Sequence, residues 1–249
     1  MDLGIAGRPA LVTAASKGLG LASARALAQE GALVLICGRG AEALAAAERE
    51  IADAAASTKR GGKVAAIVAD VTEPDAPARL VAETVSRFGG LQILVANAGG
   101  PPPGRALELS DETILEAVNA NLMATVRLVR EAVPYQRSAG WGRICAIASV
   151  SVKQPIPTLA ASNTARTALW AWAKTAAADL VADGITFNLA CPGYHLTDRL
   201  KSVGGTPGGA PAGDPADFGK VVAFLCSEPA AFVSGAALQV DGAATVGLL

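Results

Sequence analysis

Thr13-Ala14-Ala15-Ser16-Lys17-Gly18-Leu19-Gly20 is the stretch on which the fold turns. It follows a short apolar run, Pro9–Thr13, and opens a segment, residues 18–31, in which apolar residues and alanines recur with helical spacing. Small side chains in such a turn let the backbone approach an anionic group. The helix that follows offers unpaired N–H groups and a partial positive charge at its start. A glycine pair before a helix is also what a plain tight turn looks like. The reading therefore rests on its placement directly after the first strand.

Outward from this turn the chain alternates. Apolar runs of strand length occur at Pro9–Thr13, Ala32–Cys37, Lys63–Ala69, Leu91–Ala96, Gly142–Ala148, Ile185–Ala190 and Ala237–Val240. They are continuous rather than alternating, as expected of strands covered on both faces. Helical spacing fills the intervals at 18–31, 41–56, 75–88, 110–135, 161–182 and 214–227. The expectation is a single α/β domain over residues 1–249, a Rossmann fold. Its sheet is doubly wound, mostly parallel and seven-stranded, with helices on both faces.

A hydrophobic fraction of 51% against 17% charged residues excludes a disordered chain. A net charge of −1 gives no electrostatic ground for a nucleic-acid or membrane-surface partner. No apolar run is long enough for a membrane span, and the first residues do not resemble a secretory signal, so a cytoplasmic protein is expected. Cys37, Cys145, Cys191 and Cys226 form no CxxC pair and sit in or beside apolar runs, where buried free thiols are the expectation. With His195 as the single histidine, no metal site is expected.

Two segments read as loops. Gly99–Gly104 (GGPPPG) cannot continue a helix or a central strand. Lys201–Asp214 is rich in Gly, Pro and Ala and should be flexible. It follows Pro192–Asp198 at the carboxyl end of a strand, the edge at which open α/β sheets bind ligands. A mobile substrate lid and a surface linker are both compatible with it. Its shortness would leave a pocket open, for a bulky or carrier-bound substrate or because closure is no longer needed.

The second strand ends at Cys37-Gly38-Arg39. A dinucleotide lacking a 2′-phosphate usually meets an acidic residue there, accepting from the ribose hydroxyls. None is present; Arg39 and Lys17 offer cations instead, suited to a phosphate, though both also read as solvated surface charges. NADP(H) is expected in preference to NAD(H).

At this point the chain resembles the short-chain dehydrogenase/reductase family, of the type often labelled 3-oxoacyl-carrier-protein reductase, over nearly its whole length. Residues 13–20 look like the glycine motif, with Ala14 where the family usually has its first Gly. Asp70-Val71 is similar to the adenine contact, Ala96-Asn97-Ala98-Gly99 to the Asn-Ala-Gly motif, and Asn121 to the helix asparagine. Gly142 through Ser149 looks like the strand ending in the catalytic serine. Pro192-Gly193 with Thr197 looks like the nicotinamide loop, and Val240-Asp241-Gly242 like the C-terminal signature. The resemblance implies cofactor contacts at Thr13, Ala15, Ser16, Lys17, Gly18, Leu19, Gly20, Arg39, Asp70, Val71, Asn97, Ala98, Gly99, Arg166, Pro192, Gly193 and Thr197. It implies a catalytic group drawn from Asn121, Ser149, Ser162 and Arg166. It also implies tetramers built on the two long helices, here 110–135 and 161–182, so a homotetramer or homodimer is expected.

The family's proton chemistry uses a Tyr about a dozen residues after the serine and a Lys four later. Those positions hold Ser162 and Arg166, in Ser162-Asn163-Thr164-Ala165-Arg166. The two tyrosines, Tyr135 and Tyr194, have no Lys four residues on, and no tyrosine lies between Val150 and Gly184. Some family members resembling this chain carry a similar Ser-Asn-x-x-Arg segment, which implies a subgroup. A phenol titrates near 10 and can be tuned toward neutrality; an aliphatic hydroxyl is a far weaker acid. Arg166 keeps the charge and can grip ribose hydroxyls, but it does not relay a proton.

Three functions remain open. The first is an NADP(H)-dependent oxidoreductase on a small-molecule or carrier-bound carbonyl, with the proton from water or Tyr194. The second is a non-redox isomerase, dehydratase or cyclase, in which Arg166 binds a carboxylate or enolate. The third is a silent partner of a related reductase. His195 is a further candidate acid in the nicotinamide loop. Lys153 reads as surface charge. Trp170 and Trp172 read as helix packing at a subunit interface rather than as substrate stacking.

Overall fold

The computed structural model describes residues 1–206 and 210–247. The apolar runs become strands β1 Pro9–Val12, β2 Leu33–Gly38, β3 Lys63–Val68, β4 Ile93–Ala96, β5 Gly142–Ile147, β6 Ile185–Pro192 and β7 Ala237–Val240. They pair in the order β3-β2-β1-β4-β5-β6-β7. Every pair is parallel, so the sheet is parallel throughout rather than mostly so.

The helices between strands are α1 Gly18–Gln29, α2 Ala41–Thr58, α3 Ala76–Phe88, α4 Asp111–Val118, α5 Ala124–Ala139, α6 Ala160–Leu180, α7 Asp198–Ser202 and α8 Pro215–Leu225. They cover both faces. In β1, Leu11 packs into one core with Leu80 of α3, Leu128 of α5 and Leu169 of α6. Its neighbours Ala10 and Val12 face the other core with Leu27 of α1, Ile51 of α2 and Phe218 of α8. The period-two alternation of a strand thus feeds two hydrophobic layers, so both registers must be apolar and the runs read as continuous.

The expected helix over 110–135 forms and runs on to Ala139, but it is not α-helical throughout. It starts as α4, with the Ser110 hydroxyl accepting from Thr113 N at 3.3 Å, and passes through a π-helical turn, Asn119–Met123, into α5. The turn is held from outside. Asn119 Nδ2 donates to Thr72 O at 3.0 Å, and Asn119 Oδ1 accepts from Arg127 at 2.8 Å. Inside the helix Asn121 Nδ2 donates back to Ala117 O at 3.3 Å. Such side-chain competition for backbone groups is the local cause of a widened turn, and apolar spacing does not reveal it.

The Gly/Pro segment Lys201–Asp214 also departs from a uniformly flexible loop. Lys201 and Ser202 close α7, whose first turn is capped by Thr197 Oγ1 accepting from Leu200 N at 3.3 Å. At the far end Gly213 N donates to Tyr194 O at 2.8 Å and Gly213 O accepts from Leu196 N at 3.0 Å. Residues 207–209, within the segment expected as lid or linker, lie outside the described residues. Among the described residues no helix is long and apolar enough to cross a membrane.

Helices α1 and α8 cross at backbone contact distance. A Cβ on Gly219 would lie 2.3 Å from Ala22 O and 2.7 Å from Ala22 C. Helix propensity alone favours Ala over Gly by about 1 kcal/mol. Here overpacking wins, and Gly219→Ala is expected to destabilise the fold by roughly 1–3 kcal/mol, read as a lower urea midpoint at unchanged m.

Candidate functional site

The strand order reverses between β1 and β4, and the loops leaving those two strands meet at the carboxyl edge of the sheet. Thr13 Oγ1 donates to Asn97 O at 2.7 Å and accepts from Asn97 N at 2.8 Å; Asn97 Nδ2 donates to Ala14 O at 3.1 Å. Three hydrogen bonds thus lock the first turn to the end of β4. Gly20 is where this lock allows no side chain: a Cβ there would lie 2.5 Å from Ala14 O and 2.7 Å from Asn97 Nδ2. Ser16 packs on Gly38 at the end of β2, 3.1 Å from where a Cβ would stand. Ala15 N donates to Cys37 O at 2.9 Å.

Lys17 caps α1 through its backbone alone, and the helix has no acidic residue in its first turn, so the positive end is left unneutralised. Gly18 is left-handed at φ 60°, and Leu19 follows in the first turn. Beside them Gly99 has nothing within 4 Å of a Cβ position, an open approach to the Ala98-Gly99 backbone. In the first turn Ser16, Lys17, Gly18 and Leu19 reach the surface, as do Asn97, Ala98 and Gly99 beside them, while Thr13, Ala15 and Gly20 are buried beneath.

Asp70 and Val71 follow β3, which β2 and β1 separate from β4. Val71 is buried in the core. Partial burial works against the Asp70 charge. Hydrogen bonds from Thr72 N at 2.9 Å and Thr72 Oγ1 at 2.8 Å, with Arg39 nearby, outweigh it and hold the carboxyl below its usual range. Arg39 Nη1 lies 3.8 Å from Asp70 Oδ2 with its side chain 79% exposed, and Lys17 Nζ lies 3.9 Å from Asp198 Oδ2 at 73%. Pairs this exposed are worth about 0–1 kcal/mol, so both cations are free to turn toward a stronger anion. β2 ends without an acidic residue, but the fold brings Asp70 over from β3.

On the other side of the switch point, Arg166 is the best-determined group. It is 8% exposed, and its Nη1 donates to Ile147 O at 2.7 Å and Ala148 O at 2.9 Å. Burial pushes its pKa down to about 10, the nearby positive charge of Arg199 adding to the effect, and it stays cationic at neutral pH. Ser162, one turn earlier on α6, is buried as well. The intervening Asn163 is a brace: its Nδ2 donates to Ile156 O at 2.9 Å, tying down the loop before α6. Ser149 follows β5, half-buried, its Oγ accepting from Ser151 N at 3.1 Å. Asn121 is buried with Nδ2 3.5 Å from Gly99 O, and its Oδ1 has no partner among the described residues.

The Pro192-Gly193 turn is backed by the C-terminal signature. Gly193 N donates to Val240 O at 3.0 Å, and a Cβ on Gly193 would strike Asp241 Cβ at 2.6 Å. Thr197 leans over the glycine turn, its Cγ2 3.6 Å from a Cβ position on Gly18. Tyr194 is half-buried between these points. His195, weighed as a pocket acid, instead packs edge-on against Phe218 with ring centroids 5.3 Å apart, and burial lowers its pKa. It belongs to the core on the α8 side. Trp172 stacks edge-on to Phe187 at 5.9 Å inside its own chain, and Lys153 Nζ sits 5.7 Å over the Trp170 ring, half-buried rather than freely solvated.

The four cysteines are free and buried, and burial pushes the Cys37 thiol up to about 11 and that of Cys191 up to about 12. At neutral pH these two are thiols, not nucleophiles. Among the described residues no three His, Cys, Asp or Glu side chains gather as a metal site.

Arg199 was not singled out by its sequence context. It lies in α7 and donates from Nη2 to Pro101 O at 2.8 Å, its guanidinium 2.9–3.0 Å from a Cβ position on Gly100. A basic residue two places after Thr197 was the available signal. What hid it was that its partners, Gly100 and Pro101, are brought to it only by the sheet. Arg199 thus ties α7 to the loop after β4 across this edge.

The sheet order and the locked turn at its switch point define a Rossmann-type chain. The family model for short chain dehydrogenase matches residues 8–207, and the chain belongs to that family. Dehydrogenase/reductase SDR family member 4 of Homo sapiens is 31% identical over 251 residues, covering 96% of this chain and 87% of the relative. L-sorbose reductase from Gluconobacter frateurii, solved with NADPH and L-sorbose, is similar at TM-score 0.87 and 34% identity over 97% of this chain and 98% of that one. A 3-oxoacyl (acyl-carrier-protein) reductase from Agrobacterium tumefaciens with NADP bound is similar at TM-score 0.86 and 27% identity, over 97% and 95%.

Ala14 stands at φ 46°, left-handed backbone in a non-glycine residue. A Cβ there costs about 1–2 kcal/mol, partly offset by the chain entropy that glycine would lose. Ala14→Gly is expected to raise the thermal midpoint by a few degrees, corresponding to roughly 1 kcal/mol.

Proposed function

We propose that this chain is an NADP(H)-dependent oxidoreductase acting on a carbonyl or alcohol substrate, with Ser162 and Arg166 in the places of the family's Tyr and Lys. The observation that carries the reading is the Thr13–Asn97–Ala14 lock. It leaves the uncapped end of α1 and the open backbone at Gly99 facing one hollow, which fits a dinucleotide pyrophosphate. Lys17, Ser16, Gly18, Leu19 and Gly20 would hold that pyrophosphate, and Asp70 and Val71 the adenosine end. Arg39 would take the 2′-phosphate, exchanging its weak contact to Asp70 for a doubly charged partner. Asn97, Ala98, Pro192, Gly193 and Thr197 would line the nicotinamide end. The NADPH and NADP in the two similar solved structures support the same choice.

When bound, the nicotinamide supplies or accepts a hydride equivalent. The chain's own residues do the rest. Ser149 and Ser162 hold the substrate oxygen by hydrogen bonds. Arg166, fixed by two main-chain carbonyls and still charged at neutral pH, stabilises negative charge developing on that oxygen. Arg166 also reaches the ribose side, and Asn121, through Gly99 O, steadies the β4 loop. No tuned phenol–lysine pair exists, so the proton comes from solvent water or from Tyr194.

The substrate is a small or carrier-bound carbonyl compound. Pairing with a second copy, as a homodimer or homotetramer, would use the groove between α5 and α6, where Arg130, Arg137 and Asp179 surround Pro134 and the buried Val129, Val133 and Leu180.

Titration of the purified protein with NADPH and NADH tests the cofactor reading. NADPH is expected to bind at least about tenfold more tightly than NADH, and Arg39→Ala to remove most of that preference by weakening NADPH alone. If neither nucleotide binds at about millimolar concentration, where binding energy is only ~4 kcal/mol, the redox reading is wrong and a non-redox or silent role takes its place. For the proton, Tyr194→Phe is expected to lower turnover by about a hundredfold if the phenol is the acid. Unchanged turnover assigns the proton to water.

A further inference from the structure

Arg166 and Arg199 approach the same edge of the sheet from opposite sides. Arg166 comes from α6 beneath, anchored on the carbonyls that end β5. Arg199 comes from α7, anchored on the loop that follows β4. β4 and β5 are paired neighbours, Ala96 opposite Ala146, so Gly99–Pro101 and Ala148–Ser149 leave the sheet side by side. Arg199 is near enough to disfavour the charge on Arg166.

Neither has a counter-ion. Among the described residues no Asp or Glu oxygen lies within 4.0 Å of Arg166 or Arg199, although most other cations near this edge are paired. Asp198 lies 3.9 Å from Lys17 and 3.8 Å from Lys201 in exposed pairs, and Asp241 accepts from the backbone N–H groups of Ala243 and Thr245. Lys153 adds a third positive charge, half-buried over Trp170. Arg166 is buried, and a buried guanidinium without a partner is costly, a cost relieved when a ligand brings the anion; Arg199 is exposed, where such a ligand can reach it. Each guanidinium spends a single terminal nitrogen on the protein among the described residues, Nη1 of Arg166 and Nη2 of Arg199, leaving the other N–H groups for a planar oxyanion.

We propose that Arg199, with Arg166 below it, is the receptor for a carboxylate carried by the substrate, so that the substrate class is a short-chain oxo acid or hydroxy acid rather than a neutral ketone or sugar. The proposal rests on the redox reading of this pocket and adds the substrate class to it. A fork of planar N–H donors fits the paired oxygens of a carboxylate or a phosphate; carboxylate is preferred because the cofactor's phosphates have other places in the site. The pyrophosphate of a dinucleotide already has its place at the start of α1.

The test is calorimetric binding to the protein saturated with NADP, so that no turnover is required. The probes are 2-oxobutanoate, 3-oxobutanoate and 4-oxopentanoate, each against its methyl ester, with inorganic phosphate as a competitor. At least one acid is expected to bind about tenfold or more tightly than its ester. Arg199→Gln should abolish that difference, Arg199→Lys should retain part of it, and the affinity for NADP should stay within about twofold in both variants. Acid and ester binding equally throughout would overturn the proposal. So would a Gln variant that loses NADP affinity while keeping the acid preference, since Arg199 would then serve the cofactor. Phosphate displacing the acids at equal concentration would reassign the pair to a phosphate group. If NADP itself does not bind, the cofactor reading fails. The same acid–ester comparison on the free protein still decides whether Arg199 reads a carboxylate.

Discussion

The pair of hydrogen bonds between Thr13 Oγ1 and the backbone of Asn97 is the contact on which the rest of the site depends. It joins the two strands between which the winding of the sheet reverses, β1 and β4. The crossover helices leave this point to opposite faces, so the loops separate and a crevice opens. Something must keep that crevice at a fixed width. A hydroxyl that donates and accepts at once, buried at 0% exposure, does so with a single side chain. Asn97 then reaches back to Ala14 O, and the carbonyl it meets is the one that excludes a side chain from Gly20. Turn, helix start and neighbouring strand are consequently one rigid unit, and the strain at Ala14 is tolerated because the surroundings over-determine it.

The opposite flank of the crevice is organised by charge. Arg166 occupies a place where a lysine would put one compact ammonium on a flexible stem. A guanidinium is planar and keeps its proton, so it can rest on two carbonyls with one nitrogen and still present charge with the others. Burial costs it part of its basicity but leaves it cationic at neutral pH. The exchange favours fixed electrostatics over proton relay. That is consistent with a serine at the neighbouring position, where a hydroxyl can orient an oxygen but not titrate. A second guanidinium, from α7, bridges the crevice to Pro101 and makes this flank the more positive one.

The segment after β6 shows how a loop-like composition acquires order from its ends. Thr197 caps α7, Gly213 returns to bond with Tyr194 and Leu196, and His195 is drawn between them onto Phe218. The imidazole that by type alone is the obvious acid near neutrality is spent on packing, while a cation that resembles ordinary surface charge is placed over the site. Side-chain chemistry proposes candidates, and neighbours decide among them.

The fold was legible in the sequence because its signals are local. A strand buried on both faces must be apolar in both registers, a helix over it must repeat near 3.6, and a turn that admits a backbone at contact distance must be built of small residues. Each strand core, from Pro9–Val12 to Ala237–Val240, and the cradle of residues 13–20 follow from these requirements alone. The same is true of the missing Tyr–Lys pair, which is a matter of residue identity. Tertiary structure decided what depends on residues far apart in the chain. It widened the helix into a π turn at Asn119, beside a bond to Thr72, brought Asp70 to Arg39, took His195 into the core and set Arg199 against Pro101. None of these partners lies within a helical turn of the other. Local periodicity carries no information about which strand ends a parallel sheet will place side by side.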